Sequence, residues 1–113
     1  MPKKLSEIAK KMATSILRNK EPSPEALSIA LEMTHIAWNY ADVDYKKEPG
    51  YVHGVQEIHK MIPPVKNEFV MDGVERLIDR LMKYKKKHYR GDKRTIFSVE
   101  HDDDKIKVAW LQQ

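Results

Sequence analysis

The chain has 113 residues, of which 41% are hydrophobic and 34% are charged, and this length and composition fit a single folded domain over residues 1–113. It contains no cysteine, which excludes disulfides, thiolate nucleophiles and cysteine-based zinc sites. The formal net charge is +4, and no apolar run reaches the length of a membrane span. The start, MPKKLSEIAKK, lacks the apolar segment of a secretory signal, so we expect a cytoplasmic protein without membrane contact.

Apolar residues at helical spacing predict a first helix over about residues 3–20. Leu5, Ile8 and Met12 fall on one face of this helix, and lysines occupy the rest of its surface. The segment EPSP follows, and each proline disfavours helical geometry at the residue before it. We therefore expect the helix to end ahead of these prolines.

A second helix is predicted over about residues 23–42. Ser23 suits the N-cap position, and Pro24 suits the first helical position because its φ is already fixed near the helical value. Apolar residues form two stripes along this segment, which is typical of a central helix with neighbours on both sides. Trp38 lies in the first stripe, so we expect its side chain to be buried.

The next elements are a loop over residues 43–52, with a turn at Pro49-Gly50, and a short helix over about 54–62. A last helix is predicted over about 65–88, and Gly73 then falls inside it at a cost of roughly 1 kcal/mol. Leu77 lies in the apolar stripe of this helix, and we expect it to be buried.

Alternating apolar and polar residues predict a C-terminal β-hairpin over about residues 94–112. In this alternation, Phe97 and Val99 share one face of the first strand. The apolar residues of the second strand that share a face are Ile106, Val108 and Trp110. The fold class is therefore α+β, with three long helices and one short helix followed by an antiparallel hairpin.

An isolated two-stranded ribbon is marginal in water and leaves at least one strand edge unpaired. Pairing the hairpins of two chains would extend the ribbon to four strands around a twofold axis. We therefore expect a homodimer formed through the C-terminal hairpin. The competing expectation is a monomer, whose hairpin is covered by its own helices and protected by Lys105 and Lys107.

Glu32 and His35 form a Glu-x-x-His pair, whose spacing lets both side chains bind one metal ion, as in di-iron bundles. Those sites also need a second such pair and two further glutamates; the predicted helix over 65–88 offers acidic residues, but the sequence contains no second Glu-x-x-His pair. Asn39 continues the same line on the helix. A metal-dependent enzyme centred on Glu32 and His35 is one hypothesis, but no residue is assigned as catalytic, cofactor-binding or metal-ligating.

Three further polar residues, His53, Glu57 and His59, lie close together in the segment HGVQEIHK. His53 and Glu57 are four residues apart, and His59 is expected on the apolar face of the short helix. A histidine in that position is usually a hydrogen-bonded core residue. The sequence offers no nucleophile motif or glycine-rich phosphate loop to accompany it.

Residues 83–94, KYKKKHYRGDKR, have seven basic residues and one acidic residue, with aromatic rings between them. Basic side chains and aromatic rings together favour single-stranded nucleic acid. They also occur at a solvated helix end, where cations complement the helix dipole. The residues that would bind nucleic acid are Lys83, Tyr84, Lys85, Lys86, Lys87, His88, Tyr89, Arg90, Lys93 and Arg94.

These observations favour a small, non-enzymatic cytosolic accessory or protein-interaction protein whose partner the sequence does not identify. A nucleic-acid-associated protein using residues 83–94 is the alternative. The metal-dependent enzyme described above is the third hypothesis.

Overall fold

The computed structural model describes residues 4–41, 43, 46–102 and 105–112, without the side chain of Gln112. Within this part of the chain the helices are α1 (Leu5–Ser15), α2 (Pro24–Tyr40), α3 (Pro49–Met61) and α4 (Val74–His88). A 3-10 helix over Pro63–Glu68 precedes α4, and the strands β1 (Arg94–Asp102) and β2 (Lys105–Gln112) follow it. The predicted α+β class and order of elements are confirmed. No helix in these ranges is both long enough and apolar enough to cross a membrane.

Helix α2 lies at the centre of the fold and contacts all three other α-helices and β1. It begins as its sequence predicts, because the Ser23 hydroxyl accepts a hydrogen bond from the backbone N–H of Ala26 and Pro24 follows the cap. Trp38 and Leu77 are both buried in one hydrophobic core, which confirms that prediction. The predicted start of the first helix at residue 3 and the predicted end of the second at residue 42 lie outside the described residues.

Helix α1 ends at Ser15, five residues before the predicted end at 20. Beyond it, the backbone turns to pair with the segment that precedes α4, as in the bridge between Leu17 and Phe69. The Arg18 N–H donates to the Glu68 carbonyl at 2.8 Å, and the Arg18 Nε donates to the Phe69 carbonyl at 2.6 Å. These long-range bonds replace the last helical turn that the local pattern predicts.

The same segment completes the start of α2. The Ser23 N–H and hydroxyl both donate to the Glu68 carboxylate, at 2.9 and 2.6 Å. The bond from the hydroxyl is the main reason why the pKa of Glu68 lies below its ordinary value. A residue 45 positions away in sequence therefore supports the N-terminus of the central helix.

Helix α3 begins at Pro49, so the predicted turn at Pro49-Gly50 and the predicted start at 54 are wrong. Proline at the first position of a helix is favourable, and the two glycines in this helix let it approach α2 closely. A Cβ added to Gly50 would lie 2.1 Å from the Tyr40 hydroxyl oxygen, and one added to Gly54 would lie 2.6 Å from the Cδ1 of Ile36. A side chain at either position would therefore displace the end of the Tyr40 or Ile36 side chain, so the two glycines let these α2 side chains lie directly against α3.

The predicted helix over 65–88 is wrong in its first third, since α4 begins only at Val74. Gly73 is the residue before the helix, not an interior position, and its φ of 101° is one that other residues rarely adopt. Phe69 is extended and buried in the core, which interrupts any continuous helix from 65 onwards. Contacts with residues that are distant in sequence therefore determine the conformation of residues 65–73.

The two strands pair antiparallel, with a bulge between Ile96 and Ser98. The bulge changes the phase of β1, so that Ile96 and Val99 face the helices while Phe97 is 64% exposed. The prediction that Phe97 and Val99 share a face is therefore wrong. On β2, Ile106 and Val108 pack against the core as a pair, in agreement with the predicted alternation. The predicted turn at residues 103–104 lies outside the described residues.

Candidate functional site

The polar residues singled out in the sequence meet in a groove of about 350 Å³ between α2 and α3. Glu32, His35 and Asn39 line one side of this groove, and His53 and Glu57 line the other. His59 lies apart from them, and its Nε2 is 2.8 Å from the Glu75 carboxylate on α4 at an exposed position. The structure therefore brings together five of the six candidates, on two helices.

Two of these side chains hold the start of β1 against α2. The Ile96 carbonyl accepts hydrogen bonds from the Nε2 of His35 at 2.9 Å and the Nδ2 of Asn39 at 2.8 Å. The Ile96 N–H donates to the Oδ1 of Asn39 at 2.9 Å. Because a carbonyl can only accept, His35 must carry its proton on Nε2 in this arrangement. Asn39 thus pairs with both backbone groups of Ile96, much as a neighbouring strand would.

The indole of Trp38 adds a third connection between α2 and β1. Its Nε1–H donates to the Arg94 carbonyl at 2.7 Å, two residues before Ile96 on the same strand. The side chains of one helix therefore occupy backbone groups of β1 at both Arg94 and Ile96. This explains why polar residues lie beside the apolar stripes of α2.

These contacts bear on the metal hypothesis for Glu32 and His35. The Nε2 of His35 is directed at the strand, where it donates to Ile96. Across residues 4–41, 43, 46–102 and 105–112, no group of three or more His, Asp or Glu side chains is placed to hold a metal ion. The geometry of this line of residues therefore supports attachment of the hairpin rather than metal binding.

The basic segment 83–94 is divided between core and surface. Lys85 is only 5% exposed, and its Nζ donates to the Trp38 carbonyl at 3.0 Å and lies 4.4 Å from the centre of the Trp38 ring. Arg94 is 7% exposed and pairs with Asp92, with 2.9 Å between Nε and Oδ1. The hydrogen bond from Arg94 is the main cause of a pKa of Asp92 below its ordinary value. Neither cation is presented to an external polyanion.

The aromatic residues of this segment also pack on one another. The Tyr84 and His88 rings are 4.6 Å apart between centroids, and the Tyr89 ring lies 6.0 Å from the Trp38 ring. Burial, followed by the proximity of Tyr84, raises the pKa of Tyr89. The predicted nucleic-acid residues that remain exposed are Lys83, Lys86, Lys87, His88, Arg90 and Lys93, and Lys83 pairs with Asp79 at 3.1 Å.

Sequence reasoning missed a surface on which two large apolar side chains are exposed together. The outward side of the hairpin, called here the hairpin outer face, contains the side chains that point away from the helices. Phe97 and Leu111 are 64% and 54% exposed on it. Its members are Thr95, Phe97, Ser98, Glu100 and Asp102 on β1, and Lys105, Lys107, Ala109 and Leu111 on β2. The adjacent apolar pair Ile96-Phe97, which breaks the alternation, was the only sequence signal for the bulge.

The hairpin outer face has two different ends. Near the helical body, the cross-strand pairs Thr95–Leu111 and Ser98–Ala109 lie beside Phe97. Towards the turn, acidic residues on β1 stand opposite basic residues on β2, in the pairs Glu100–Lys107 and Asp102–Lys105. The face is therefore apolar at one end and charged at the other, with each sign of charge confined to one strand.

Among the described residues, neither the groove nor the hairpin outer face contains a group of three or more His, Asp or Glu side chains placed to hold a metal ion. Both surfaces involve the hairpin. Three side chains of α2, those of His35, Trp38 and Asn39, bind the backbone of β1, while the hairpin outer face is exposed to solvent. No protein-family model, curated protein or solved structure matches this chain.

Proposed function

We propose that this protein is a non-enzymatic cytosolic interaction protein that assembles through the hairpin outer face, with a second copy of itself as the partner. The observation that supports this most directly is the exposure of Phe97 and Leu111 together on one sheet face. Scattered exposed apolar residues are ordinary, whereas neighbouring large ones on a flat face are typical of an interaction surface.

A second copy complements this face when the twofold axis runs parallel to the strands. In that arrangement β1 of one copy lies over β2 of the other. Glu100 and Asp102 then face Lys107 and Lys105, and the apolar end around Phe97 faces its own equivalent. A surface that is complementary to itself under a twofold rotation is what a symmetric dimer requires.

Stacking of the faces fits the fold better than pairing of β1 edges. Asn39 and Trp38 already occupy backbone groups of β1 at Ile96 and Arg94, so a second strand would have to displace them. Stacking the outer faces of two hairpins leaves these hydrogen bonds intact. The expected dimer therefore uses side chains of the outer face rather than the first half of the β1 edge.

The interface should be weak. Two strands of about eight residues, at ~3.3 Å per residue and ~4.8 Å between strands, present a face of roughly 250 Å². This is well below the usual ~800 Å² per partner of stable complexes. We therefore expect a dimer that forms at high protein concentration and dissociates on dilution.

Charge exchange tests this arrangement. The variant Glu100→Lys with Asp102→Lys makes the charged end wholly basic, and the variant Lys105→Glu with Lys107→Glu makes it wholly acidic. Each variant alone should be monomeric, near 13.3 kDa, while an equal mixture of the two should associate. Light scattering or sedimentation over a wide concentration range gives the molecular mass of the protein in all three samples.

Phe97→Ser should also weaken association, whereas the control Val52→Ser, which removes an exposed apolar side chain from α3, should not. A parent protein that stays monomeric at every concentration would refute self-association. Charge-reversed variants that dimerise as well as the parent would refute the outer face as the contact surface.

A narrower form of the nucleic-acid alternative rests on the exposed side chains of Lys86, Lys87, Arg90 and Lys93. They surround the C-terminal end of α4, where several cations lie close together. Contacts from such residues to phosphates carry no sequence information and weaken as salt is added. Salt-dependent binding of single-stranded DNA, lost on Lys86→Gln with Lys87→Gln, would support this alternative, and no binding at low salt would contradict it.

A further inference from the structure

A groove of about 840 Å³ lies between the beginning of α1 and the side of the hairpin that faces the helices. Leu5 lines it from α1, and Val108 and Trp110 line it from β2. Residues 91–93, which connect α4 to β1, close one end. Its volume is within the usual range for small-molecule sites.

The polar lining of this groove is mostly basic. Lys4 and Lys93 line it and are exposed, so their ammonium groups are accessible to a ligand. Asp92 and Arg94 also line it, but they pair with each other, and their charges largely cancel. The positive end of the α1 dipole lies at the same place, since Lys4 is the N-cap of that helix and Leu5 is its first residue. The groove therefore favours an anion.

Trp110 gives this groove a flat aromatic wall. Its side chain is 44% exposed, and the Arg94 guanidinium lies 5.1 Å from the centre of its ring. Arg94 is itself held on two sides, by Asp92 at its guanidinium and by the Trp38 indole at its carbonyl. The support for the Trp110 ring is thus connected to the core, while a large part of the ring remains open to solvent.

We propose that this groove binds a nucleoside phosphate, with the base against Trp110 and the phosphate beside Lys4 and Lys93. An aromatic ring adjacent to lysines is suited to this ligand because stacking holds the base while the cations hold the phosphate. A fatty acid would match the charge and the apolar lining but would make no specific use of an exposed indole. The proposal is independent of self-association, because Trp110, Lys4 and Lys93, on which it rests, are not members of the hairpin outer face.

The same chemistry occurs in a free nucleotide and in a single strand of nucleic acid. Adenosine monophosphate, uridine monophosphate and oligothymidylate are therefore the probes to compare. Tighter binding of the oligonucleotide, with a steep dependence on salt, would identify a strand as the source. Binding of the mononucleotides with similar affinity would identify a free nucleotide.

The two tryptophans supply an internal control. In a ¹⁵N-correlated spectrum, the indole N–H of Trp110 should shift strongly on addition of ligand, while that of Trp38, which is buried and bonded to the Arg94 carbonyl, should shift much less. Trp110→Leu should weaken binding by about 5- to 150-fold, from the ~1–3 kcal/mol of base stacking. Lys93→Gln and Lys4→Gln should each weaken it by about 2- to 5-fold. The control Lys66→Gln, which removes an exposed lysine of the 3-10 helix, should leave affinity unchanged.

Comparing uridine monophosphate with its two parts and with a fatty acid tests whether the ligand of the groove is a nucleoside phosphate. Ribose 5-phosphate and uridine should each bind much more weakly than uridine monophosphate, and octanoate should not compete with it. Equal binding of ribose 5-phosphate, preferential binding of octanoate, or no response of the Trp110 signal to any nucleotide would overturn the proposal. Because Lys93 is exposed, Lys93→Gln should fold normally. Its predicted loss of affinity can therefore be measured even if Trp110→Leu is unstable.

Discussion

Replacing Asn39 with alanine should detach the first part of β1 from α2 and destabilise the protein. The substitution removes two hydrogen bonds, from the Nδ2 of Asn39 to the Ile96 carbonyl at 2.8 Å and from the Ile96 N–H to the Oδ1 at 2.9 Å. The two groups on Ile96 are affected differently. The carbonyl keeps its bond from His35, whereas the N–H loses its acceptor in a residue that is only 2% exposed.

The expected magnitude follows from this difference. A buried donor without an acceptor costs about 1–3 kcal/mol, and losing one of two bonds at a carbonyl costs about 0.5–1.5 kcal/mol. Asn39 is only half-buried, so water should replace part of what is lost. We therefore expect the free energy of unfolding to fall by about 2 kcal/mol.

A double-mutant cycle makes the test specific. His35→Ala alone should cost about 1 kcal/mol, because the Ile96 carbonyl still accepts from Asn39. In the double variant that carbonyl loses both donors, so the combined loss should exceed the sum of the single losses. The control His53→Ala, an exposed residue in the same groove, should change stability by less than about 0.5 kcal/mol.

Urea denaturation followed by circular dichroism measures these differences, and hydrogen exchange at the Ile96 amide reports the local effect. Asn39→Ala should accelerate exchange at this amide more than at amides inside α4. If the unfolding midpoint and the exchange rate at Ile96 were both unchanged, the attachment of β1 through Asn39 would be wrong.

Three further predictions concern the core, the buried lysine and acid stability. Leu77→Ala should lower the free energy of unfolding by about 2–5 kcal/mol, and an unchanged denaturation midpoint would contradict its place in the core. Lys85→Gln should cost about 1–3 kcal/mol while Lys86→Gln costs less than about 0.5 kcal/mol, so equal effects would contradict the division of the basic segment. Because Arg94 lowers the folded-state pKa of Asp92, the ion pair stabilises the protein above the ordinary pKa of 3.8, and this stability is lost as pH falls through the folded pKa. Asp92→Asn should therefore be less stable than the parent at neutral pH, and the difference should shrink in acid; a constant difference from neutral pH to pH 2 would argue against it.

The features that the sequence predicts well are those determined by neighbouring residues. Ser23 and Pro24 mark the start of α2 because the cap is a local hydrogen bond and the proline sets a local angle. Trp38 and Leu77 were recognised as buried because their apolar stripes follow the period of a helix. Lys85 continues the stripe of Leu77 and Leu81 at helical spacing, and it is buried as well.

The features that the sequence missed depend on distant partners. The residues around Phe69 predict a helix, but Phe69 is extended because it is buried in the core and paired with Leu17. The role of Asn39 depends on a strand residue 57 positions away, and no local pattern indicates that pairing. The exposure of Phe97 depends on a bulge, which reverses the expected alternation from one residue to the next.

The bonds that join residues 16–18 to residues 68–70 also determine the order in which the chain can fold. They enclose α2 and α3 in a loop of about 50 residues, whose closure costs roughly 3–4 kcal/mol of chain entropy before any contact is gained. The contact between α3 and α2 at Gly50 and Gly54 spans a much shorter stretch of chain, so it can form earlier. We therefore expect the large loop to close late, with the Glu68 carboxylate reaching Ser23 only after the helix that it caps has formed.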